Sequence, residues 1–205
     1  MRTGEVFALT WNDIDFDNKT IKVTKTVYYK DKNQKGRWYL GTTKTQSSSR
    51  TVYMCETLCN LLKKYKLEQE SNKKQFKDKY KYYNLEQIKN KHGKLIEYQV
   101  VESKKSKSNT NMVFVKTNGT YSGTDVIKYP YTIIHKELGI NGRFYDLRGS
   151  FATTALRSGV EIKDISKTLE HSKIETTENY YITSTMDSLK NVSETFEKEL
   201  DLKIK

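Results

Sequence analysis

The stretches YDLRGSFAT, at residues 145–153, and HSKIETTENYY, at residues 171–181, are the most informative parts of this chain. The first opens a predicted helix, and Gly159 stands where such a helix commonly ends in a left-handed glycine. In the second, SKIE at residues 172–175 has the pattern of a capping box, which predicts a helix that begins just after His171. This half of the chain is therefore expected to be built of short helices.

Helical spacing of apolar residues continues on both sides of these stretches. A helix is predicted from Glu56, and further helices over residues 125–138, 146–158, 161–169 and 186–203. The last of these carries the apolar stripe Leu189, Val192, Phe196 and Leu200. This stripe either packs on its own domain or docks in a groove of a neighbouring protein.

The first quarter of the chain reads as β-structure that follows the end of a helix over residues 3–9. Alternating β-branched and aromatic residues predict strands over residues 20–29, 37–43 and 50–54, with a weaker signal at Ile14. We therefore expect an α+β fold, in which a small three-stranded antiparallel sheet near the N-terminus accompanies a mostly helical body.

Charge and length narrow the class of protein. The 205 residues suit one domain, and 37 Lys and Arg against 25 Asp and Glu give a net charge of +12. Such a surplus favours a polyanionic partner, with nucleic acid first and an anionic membrane surface second. Residues 63–107 hold fourteen lysines against six acidic residues. This stretch is either a solvated helical insertion or a DNA-facing patch. The second alternative is suggested by the tyrosines among its lysines, which can lie against sugar and phosphate.

Several classes are disfavoured by what the sequence lacks. It has no run of eighteen apolar residues and no signal peptide, so no membrane-spanning segment is expected and a cytoplasmic protein is favoured. Cys55 and Cys59 are four apart in a predicted helix, a poor arrangement for a disulfide, and are expected to be reduced. The three histidines have no metal-ligand spacing, so no metal or other cofactor is expected.

Five short motifs carry residue types suited to phosphate chemistry. They are RTGE at residues 2–5, TKT at 43–45, YDLR at 145–148, LEHS at 169–172 and ENYY at 178–181. Each has an ordinary structural explanation when taken alone. An arginine three residues before a glutamate, for instance, commonly forms an ion pair along a helix, and this is the favoured role for Glu5.

Taken together, the order Arg, hairpin Lys, Tyr-x-x-Arg, His and then Tyr nine residues later resembles the catalytic domain of the tyrosine recombinases, the phage integrase family. Residues 1–15, 145–153 and 171–181 are especially similar to integrases of conjugative transposons and of phages from Gram-positive bacteria. The resemblance covers nearly the whole chain, with residues 63–107 matched least. It implies one catalytic domain over residues 1–205, with the Lys-rich stretch as an insertion.

The resemblance also implies a reaction, namely metal-independent cleavage and rejoining of DNA for integration or excision of a mobile element. Tyr180 is the implied nucleophile, and Tyr181 is the competing candidate. Attack on phosphorus would form a 3′-phosphotyrosyl bond and release a 5′ hydroxyl. Lys44, on the hairpin, would protonate the leaving oxygen as general acid.

Charge stabilisation is assigned by the same resemblance to Arg2 and Arg148, with a further hydrogen bond to the phosphate from His171. Lys44, Arg50 and Arg143 are expected to contact DNA. Their implied partner is a double-stranded attachment or core site.

The chain departs from the family pattern at three points. Tyr145 stands where the family usually has histidine, so it is expected to orient the phosphate rather than transfer a proton, since a phenol ionises only well above neutral pH. Glu170 stands where glycine is usual. Arg2 lies almost at the start of the sequence, so core-binding and arm-binding domains are expected to be absent from it.

Further partners follow from the resemblance alone. They are other protomers in a tetramer on DNA, and a directionality factor. Two alternative functions stay open on the sequence: a catalytically weak DNA-binding remnant of an integrase, and a type IB topoisomerase-like enzyme that relaxes supercoils. A magnesium-dependent integrase is disfavoured, because no motif calls for that ion.

Overall fold

The computed structural model describes residues 1–31, 36–42, 49–105 and 109–169. These residues fall into two compact units, with a boundary between Arg148 and Gly149. The helices are α1 (Thr3–Val6), α2 (Glu56–Phe76), α3 (Lys128–Glu137), α4 (Asp146–Arg157) and α5 (Ile162–Leu169). The strands are β1 (Ile14–Asp15), β2 (Thr20–Val23), β3 (Lys25–Lys30), β4 (Arg37–Thr42), β5 (Arg50–Tyr53), β6 (Tyr82–Lys89) and β7 (Leu95–Ser103).

The α+β class and the small three-stranded sheet are confirmed. Strand β2 lies between β1 and β5, and all pairs are antiparallel. Ile21 lies opposite Ile14 on one side and Val52 on the other. Alternation along β2 points Ile21 and Val23 into a core formed with Trp11, Cys59 and Leu62, which explains why a single face of this sheet is apolar.

The prediction of one continuous strand over residues 20–29 is wrong. The chain leaves the first sheet after Val23 and enters a second sheet at Lys25, where β3 pairs with β4 from Lys25–Thr42 to Lys30–Arg37. The reason is that the two halves serve different cores. Val23 belongs to the core around Trp11, whereas Val27 packs with Phe7 and Leu40 in a second core.

The interpretation of residues 63–107 as a helical insertion is also wrong in its second half. Helix α2 ends at Phe76, and β6 and β7 then form a hairpin that completes a four-stranded sheet in the order β3-β4-β7-β6. Val100 is buried in the second core, and Leu85 packs against it. The turn is closed by Asn90, whose side chain accepts hydrogen bonds from the backbone N–H groups of His92 and Lys94.

A buried polar side chain of helix α2 joins this helix to other parts of the first unit. Gln69 accepts a hydrogen bond from Trp11 Nε1 at 2.6 Å and donates to the carbonyl oxygens of Met112 and Val113 at 3.2 and 3.3 Å. Met112 and Val113 are themselves buried. One amide thus joins the helix, the indole and the extended chain.

The helices predicted near the middle of the chain are confirmed with small shifts in their ends. A 3-10 turn over Gly123–Ile127 precedes α3. In the second unit, Gly159 ends α4 with φ +82°, and the N–H groups of Gly159 and Val160 bond to the carbonyls of Leu156 and Ala155. This is the Schellman pattern expected of a glycine at that position.

The second unit has its own small core, in which Ala152, Ile165 and Leu169 are buried. The helices predicted after His171 and over 186–203 lie outside the described residues. Cys55 and Cys59 are free thiols. Within the described ranges no helix is long and apolar enough to cross a membrane.

Candidate functional site

A buried carboxylate, Glu5, is the centre of the candidate site. Glu5 is 3% exposed and lies in the single turn of α1. Its Oε2 accepts the backbone N–H of Arg2 at 2.7 Å, and its Oε1 accepts Nη1 of the Arg2 side chain at 3.0 Å. The ion pair expected from the RTGE spacing is therefore present, and it closes the first turn of the helix.

The position of α1 depends on Gly4. A Cβ atom at Gly4 would lie 2.4 Å from Thr26 Oγ1 and 3.0 Å from the Val27 carbonyl oxygen. Only glycine lets the helix approach β3 this closely. Gly4 therefore determines how close Arg2 and Glu5 lie to the second sheet.

Arg50, the first residue of β5, is the second partner of the carboxylate. Its Nη1 donates to Glu5 Oε1 at 3.2 Å and its Nη2 donates to Oε2 at 2.7 Å. Burial alone would raise the pKa of Glu5, but the hydrogen bonds from Arg50 and Arg2 outweigh it and lower that pKa to about 2. Glu5 is thus ionised at every physiological pH.

Arg148 supplies a third guanidinium. It is 6% exposed on α4, and its backbone N–H bonds to the carbonyl of Tyr145 at 3.0 Å. Burial lowers the pKa of Arg148, and the positive charge of Arg2 lowers it further, while Tyr145 and Glu5 act in the opposite direction. Arg2 and Arg148, which are 146 positions apart in the sequence, are therefore close enough for their charges to interact.

The charges of this cluster do not cancel. Arg2, Arg50 and Arg148 interact with the one carboxylate of Glu5, which leaves an excess of positive charge. Guanidinium groups stay protonated even when buried, and their N–H groups match the oxygens of a phosphate. The arrangement is therefore suited to hold an anion such as a phosphodiester.

Tyr145 and Arg143 precede Arg148 in the chain, and both are exposed to solvent. Tyr145 is 48% exposed, one turn before Arg148. The Arg143 side chain is 78% exposed and forms an ion pair with Asp146 at 3.0 Å, while its backbone N–H donates to the same carboxylate at 2.7 Å. Because of these hydrogen bonds the pKa of Asp146 is lowered. Arg143 therefore both stabilises the start of α4 and presents charge to solvent.

Other predicted site residues lie outside the described part of the chain. They are Lys44, Glu170, His171, Tyr180 and Tyr181. Sequence reasoning missed the contact between Arg50 and Glu5. The two residues are 45 positions apart, and no local pattern pairs a strand residue with a helix residue at that distance. In the ranges that the structure describes, no group of three His, Cys, Asp or Glu side chains could hold a metal ion.

Comparison with known proteins places this chain in a family. The model of the phage integrase family matches residues 1–187. A tyrosine recombinase XerC-like protein of Caldanaerobacter subterraneus subsp. tengcongensis is 26% identical over 187 residues, which cover 88% of this chain and 42% of that protein. The integrase of Staphylococcus phage L54a is 40% identical over 68 residues, or 33% of this chain and 19% of the integrase.

Solved structures show the same fold. The Tn1549 transposon integrase in complex with a circular intermediate DNA has a TM-score of 0.65 and 20% identity, covering 96% of this chain and 54% of that one. The XerA recombinase has a TM-score of 0.56 and 19% identity, covering 95% and 53%. The chain spans about half the length of these structures and less than half of the sequence relatives. With the family match over most of its length, the chain belongs to the phage integrase family, as a tyrosine recombinase catalytic domain.

Proposed function

We propose that this chain cuts and rejoins DNA strands at a specific site through a covalent tyrosine intermediate, in the integration or excision of a mobile element. One observation carries the proposal. Arg2 and Arg148, the two arginines that match the family motif, interact in one positively charged cluster although they stand far apart in the sequence.

The cluster meets the electrostatic demand of phosphoryl transfer. In the transition state negative charge gathers on the non-bridging oxygens of the phosphate. Donors that are fixed before the reaction stabilise this charge without a reorganisation cost. Arg2 and Arg148 are held in this way, since Glu5 fixes Arg2 and burial restricts Arg148. In our proposal the guanidiniums neutralise the charge, so the step needs no metal ion.

The covalent step is assigned by family resemblance. The Oη atom of Tyr180 forms a bond to phosphorus, the bond from phosphorus to the 5′ oxygen breaks, and the phenol proton passes to a solvent water molecule. The ammonium group of Lys44 gives a proton to the leaving 5′ oxygen, and His171 donates a hydrogen bond to the phosphate. Rejoining is the same step in reverse. It conserves the energy of the phosphodiester bond.

Tyr145 has an orienting role in this proposal. Its hydroxyl group is on the exposed segment just before Arg148 and can donate a hydrogen bond to a phosphate oxygen. Proton transfer is left to Lys44.

Double-stranded DNA is the proposed partner. Two observations support it. One is the net charge of +12, and the other is that the matched Tn1549 integrase structures are complexes with circular intermediate DNA and with transposon right end DNA. A tetramer of protomers and a directionality factor are further proposals, which rest on the family alone.

A trapping experiment tests the proposal. The chain is incubated in EDTA with a pool of end-labelled duplexes that carry a randomised core and a nick, so that the cleaved fragment diffuses away. We expect a covalent protein–DNA band on a denaturing gel, which disappears in Tyr180→Phe and persists in Tyr181→Phe. Salt-sensitive DNA binding without any band would contradict the proposal and favour a DNA-binding remnant.

The same reaction separates a recombinase from a topoisomerase. Once the pool has yielded a cleaved sequence, that sequence is placed in a supercoiled plasmid. Exchange between two plasmids that both carry the sequence is the expected result. Relaxation without exchange, on plasmids with or without the sequence, would instead favour the type IB topoisomerase-like alternative.

A further inference from the structure

We infer that Arg50 is a positioning residue for Arg2, and that it acts through the carboxylate of Glu5 rather than by contact with DNA. This inference rests on the proposed function, because it names what holds one of the proposed phosphate-binding arginines in place.

The carboxylate of Glu5 is shared atom by atom. Its Oε1 accepts hydrogen bonds from Nη1 of Arg2 at 3.0 Å and from Nη1 of Arg50 at 3.2 Å. Its Oε2 accepts the backbone N–H of Arg2 and Nη2 of Arg50, both at 2.7 Å. Each oxygen is therefore bound by both arginines. A change in the Arg50 side chain must alter the orientation of the group that holds Arg2.

The two arginines differ in exposure, which indicates different roles. The Arg50 side chain is 11% exposed, whereas that of Arg2 is 47% exposed. A phosphate that arrives from solvent can reach the exposed guanidinium of Arg2. Nη1 and Nη2 of Arg50, by contrast, already donate to Glu5. Arg50 thus lies behind the carboxylate and Arg2 in front of it.

The two arginines also differ in how firmly their backbone is held. Arg50 lies in a paired strand, opposite the fully buried Val23 of β2. Arg2 begins α1, which is a single turn of four residues and has little stability of its own. The rigid strand can therefore fix the short helix through the ion pair, and the reverse is not expected.

Three variants separate positioning from DNA contact. Arg50→Gln removes the charge and the two-pronged donor, Arg50→Lys keeps only the charge, and Arg37→Gln is a matched control at an exposed position of β4. For Arg50→Gln we expect a loss of roughly 10- to 100-fold in the single-turnover rate of DNA cleavage, since small misplacements at a reacting group have effects of this size. Arg50→Lys should restore part of the rate, and Arg37→Gln should match the unsubstituted chain.

Two further measurements, DNA affinity and the coupling between Glu5 and Arg50, distinguish a positioning role from a general loss of structure. The dissociation constant for duplex DNA and its salt dependence should be the same in Arg50→Gln as in the unsubstituted chain. The double variant Glu5→Gln, Arg50→Gln should cleave no more slowly than Glu5→Gln alone, because both changes break one linkage. Weaker DNA binding with a smaller salt slope, or losses that multiply, would overturn the inference.

The side-chain NMR signals of Arg2 test the linkage without any reaction. In the full chain, with Arg2 assigned by Arg2→Lys, we expect separate Nη signals from a guanidinium whose rotation is restricted, and averaged signals in Arg50→Gln. Unchanged Arg2 signals in that variant would overturn the inference even if cleavage is slower. If the unsubstituted chain forms no DNA adduct, the proposed function fails, and these spectra still decide whether Arg50 positions Arg2.

Discussion

Among single residues, Glu5 has the strongest influence on the site. Its carboxylate is buried, yet it stays ionised because Arg50 and Arg2 donate to both of its oxygens. A buried charge that loses such partners is costly, so the three side chains act as one unit. This explains how a solvent-exposed arginine on a one-turn helix can be held in a defined position.

The first prediction concerns the pH dependence of folding. The pKa of Glu5 is lowered from 4.5 to about 2 in the folded chain, so its contribution is fully present above the unfolded-state pKa and is lost as pH falls through the folded value. The shift corresponds to roughly 3 kcal/mol of unfolding free energy between about pH 5 and pH 2. The groups facing Glu5 are the guanidiniums of Arg2, Arg50 and Arg148 and the amino group of Met1.

Urea unfolding at a series of pH values checks this prediction. Glu5→Gln should be less stable at neutral pH and should lose much less stability on acidification than the unsubstituted chain. Glu86→Gln, an exposed glutamate on β6, is the control and should follow the unsubstituted curve. Equal acid sensitivity in the two glutamine variants would show that Glu5 is not the responsible group.

A second prediction concerns Tyr145. If its hydroxyl donates to a phosphate oxygen, Tyr145→Phe should lower the single-turnover cleavage rate by roughly 10- to 100-fold, since a hydrogen bond to a charged group contributes roughly 1.5–3 kcal/mol. Tyr145→His restores a donor and should recover most of the rate. The measurement is adduct formation against time at saturating DNA, and a phenylalanine variant with an unchanged rate would remove Tyr145 from the site.

Among the helices and strands, α2 is held by a buried amide in addition to the apolar contacts of Cys59 and Leu62. Gln69 binds the Trp11 indole N–H and two backbone carbonyls in the interior of the first unit. A partner lost in such surroundings leaves a buried polar group unsatisfied, which costs about 1–3 kcal/mol for each group.

We therefore expect Gln69→Leu to lower the free energy of unfolding by about 2–4 kcal/mol, even though leucine is of similar size. Gln87→Leu, at an exposed position of β6, should change it by less than about 0.5 kcal/mol. Urea titration monitored by tryptophan fluorescence gives both values. A Gln69→Leu variant as stable as the control would mean that this amide network does not secure α2.

The sequence is a good guide to those elements that have clear ends. Gly159 marks the end of α4 through its positive φ, and β5 falls within one residue of its predicted span. The division of residues 20–29 between two sheets was not predictable, because Thr24 continues the alternation without a glycine or proline. The β6–β7 hairpin did have a local signal, in the Asn90 to Gly93 turn. The many lysines of this stretch are also typical of a solvated helix, so its composition did not favour a hairpin.

The candidate site was predictable only in part. Arg2, Glu5 and Arg148 are found through their motifs, and the structure brings them together. The link from Arg50 to Glu5 is a tertiary contact between a residue of β5 and a residue of α1, and it leaves no periodic trace in the sequence.

For the chain as a whole, excess positive charge is the property that bears most directly on function. The net charge of +12 predicts DNA binding that weakens steeply with salt, since each phosphate contact contributes about −0.9 to the slope of log affinity against log salt. Substitution of an exposed arginine and substitution of a buried arginine should therefore have different effects on this slope.

If Arg143 contacts a phosphate, as proposed, Arg143→Gln should reduce the magnitude of that slope by about one and weaken binding to all duplexes alike, because it removes a charge from a side chain that is exposed to solvent. Arg50→Gln should leave the slope unchanged. Fluorescence anisotropy with a labelled random duplex at several salt concentrations measures both. If Arg143→Gln leaves the slope unaltered, Arg143 serves only to stabilise the start of α4.

The most direct test of the proposed chemistry is to identify the residue that becomes joined to DNA. Trapped adduct from the EDTA reaction is digested with nuclease and trypsin, which places Tyr180 and Tyr181 together in the peptide over residues 174–190. Fragmentation in the mass spectrometer then locates the attached nucleotide. We predict a nucleotide on Tyr180, linked through its 3′ phosphate. A nucleotide on Tyr181, a 5′ linkage, or no modified peptide would contradict the assignment.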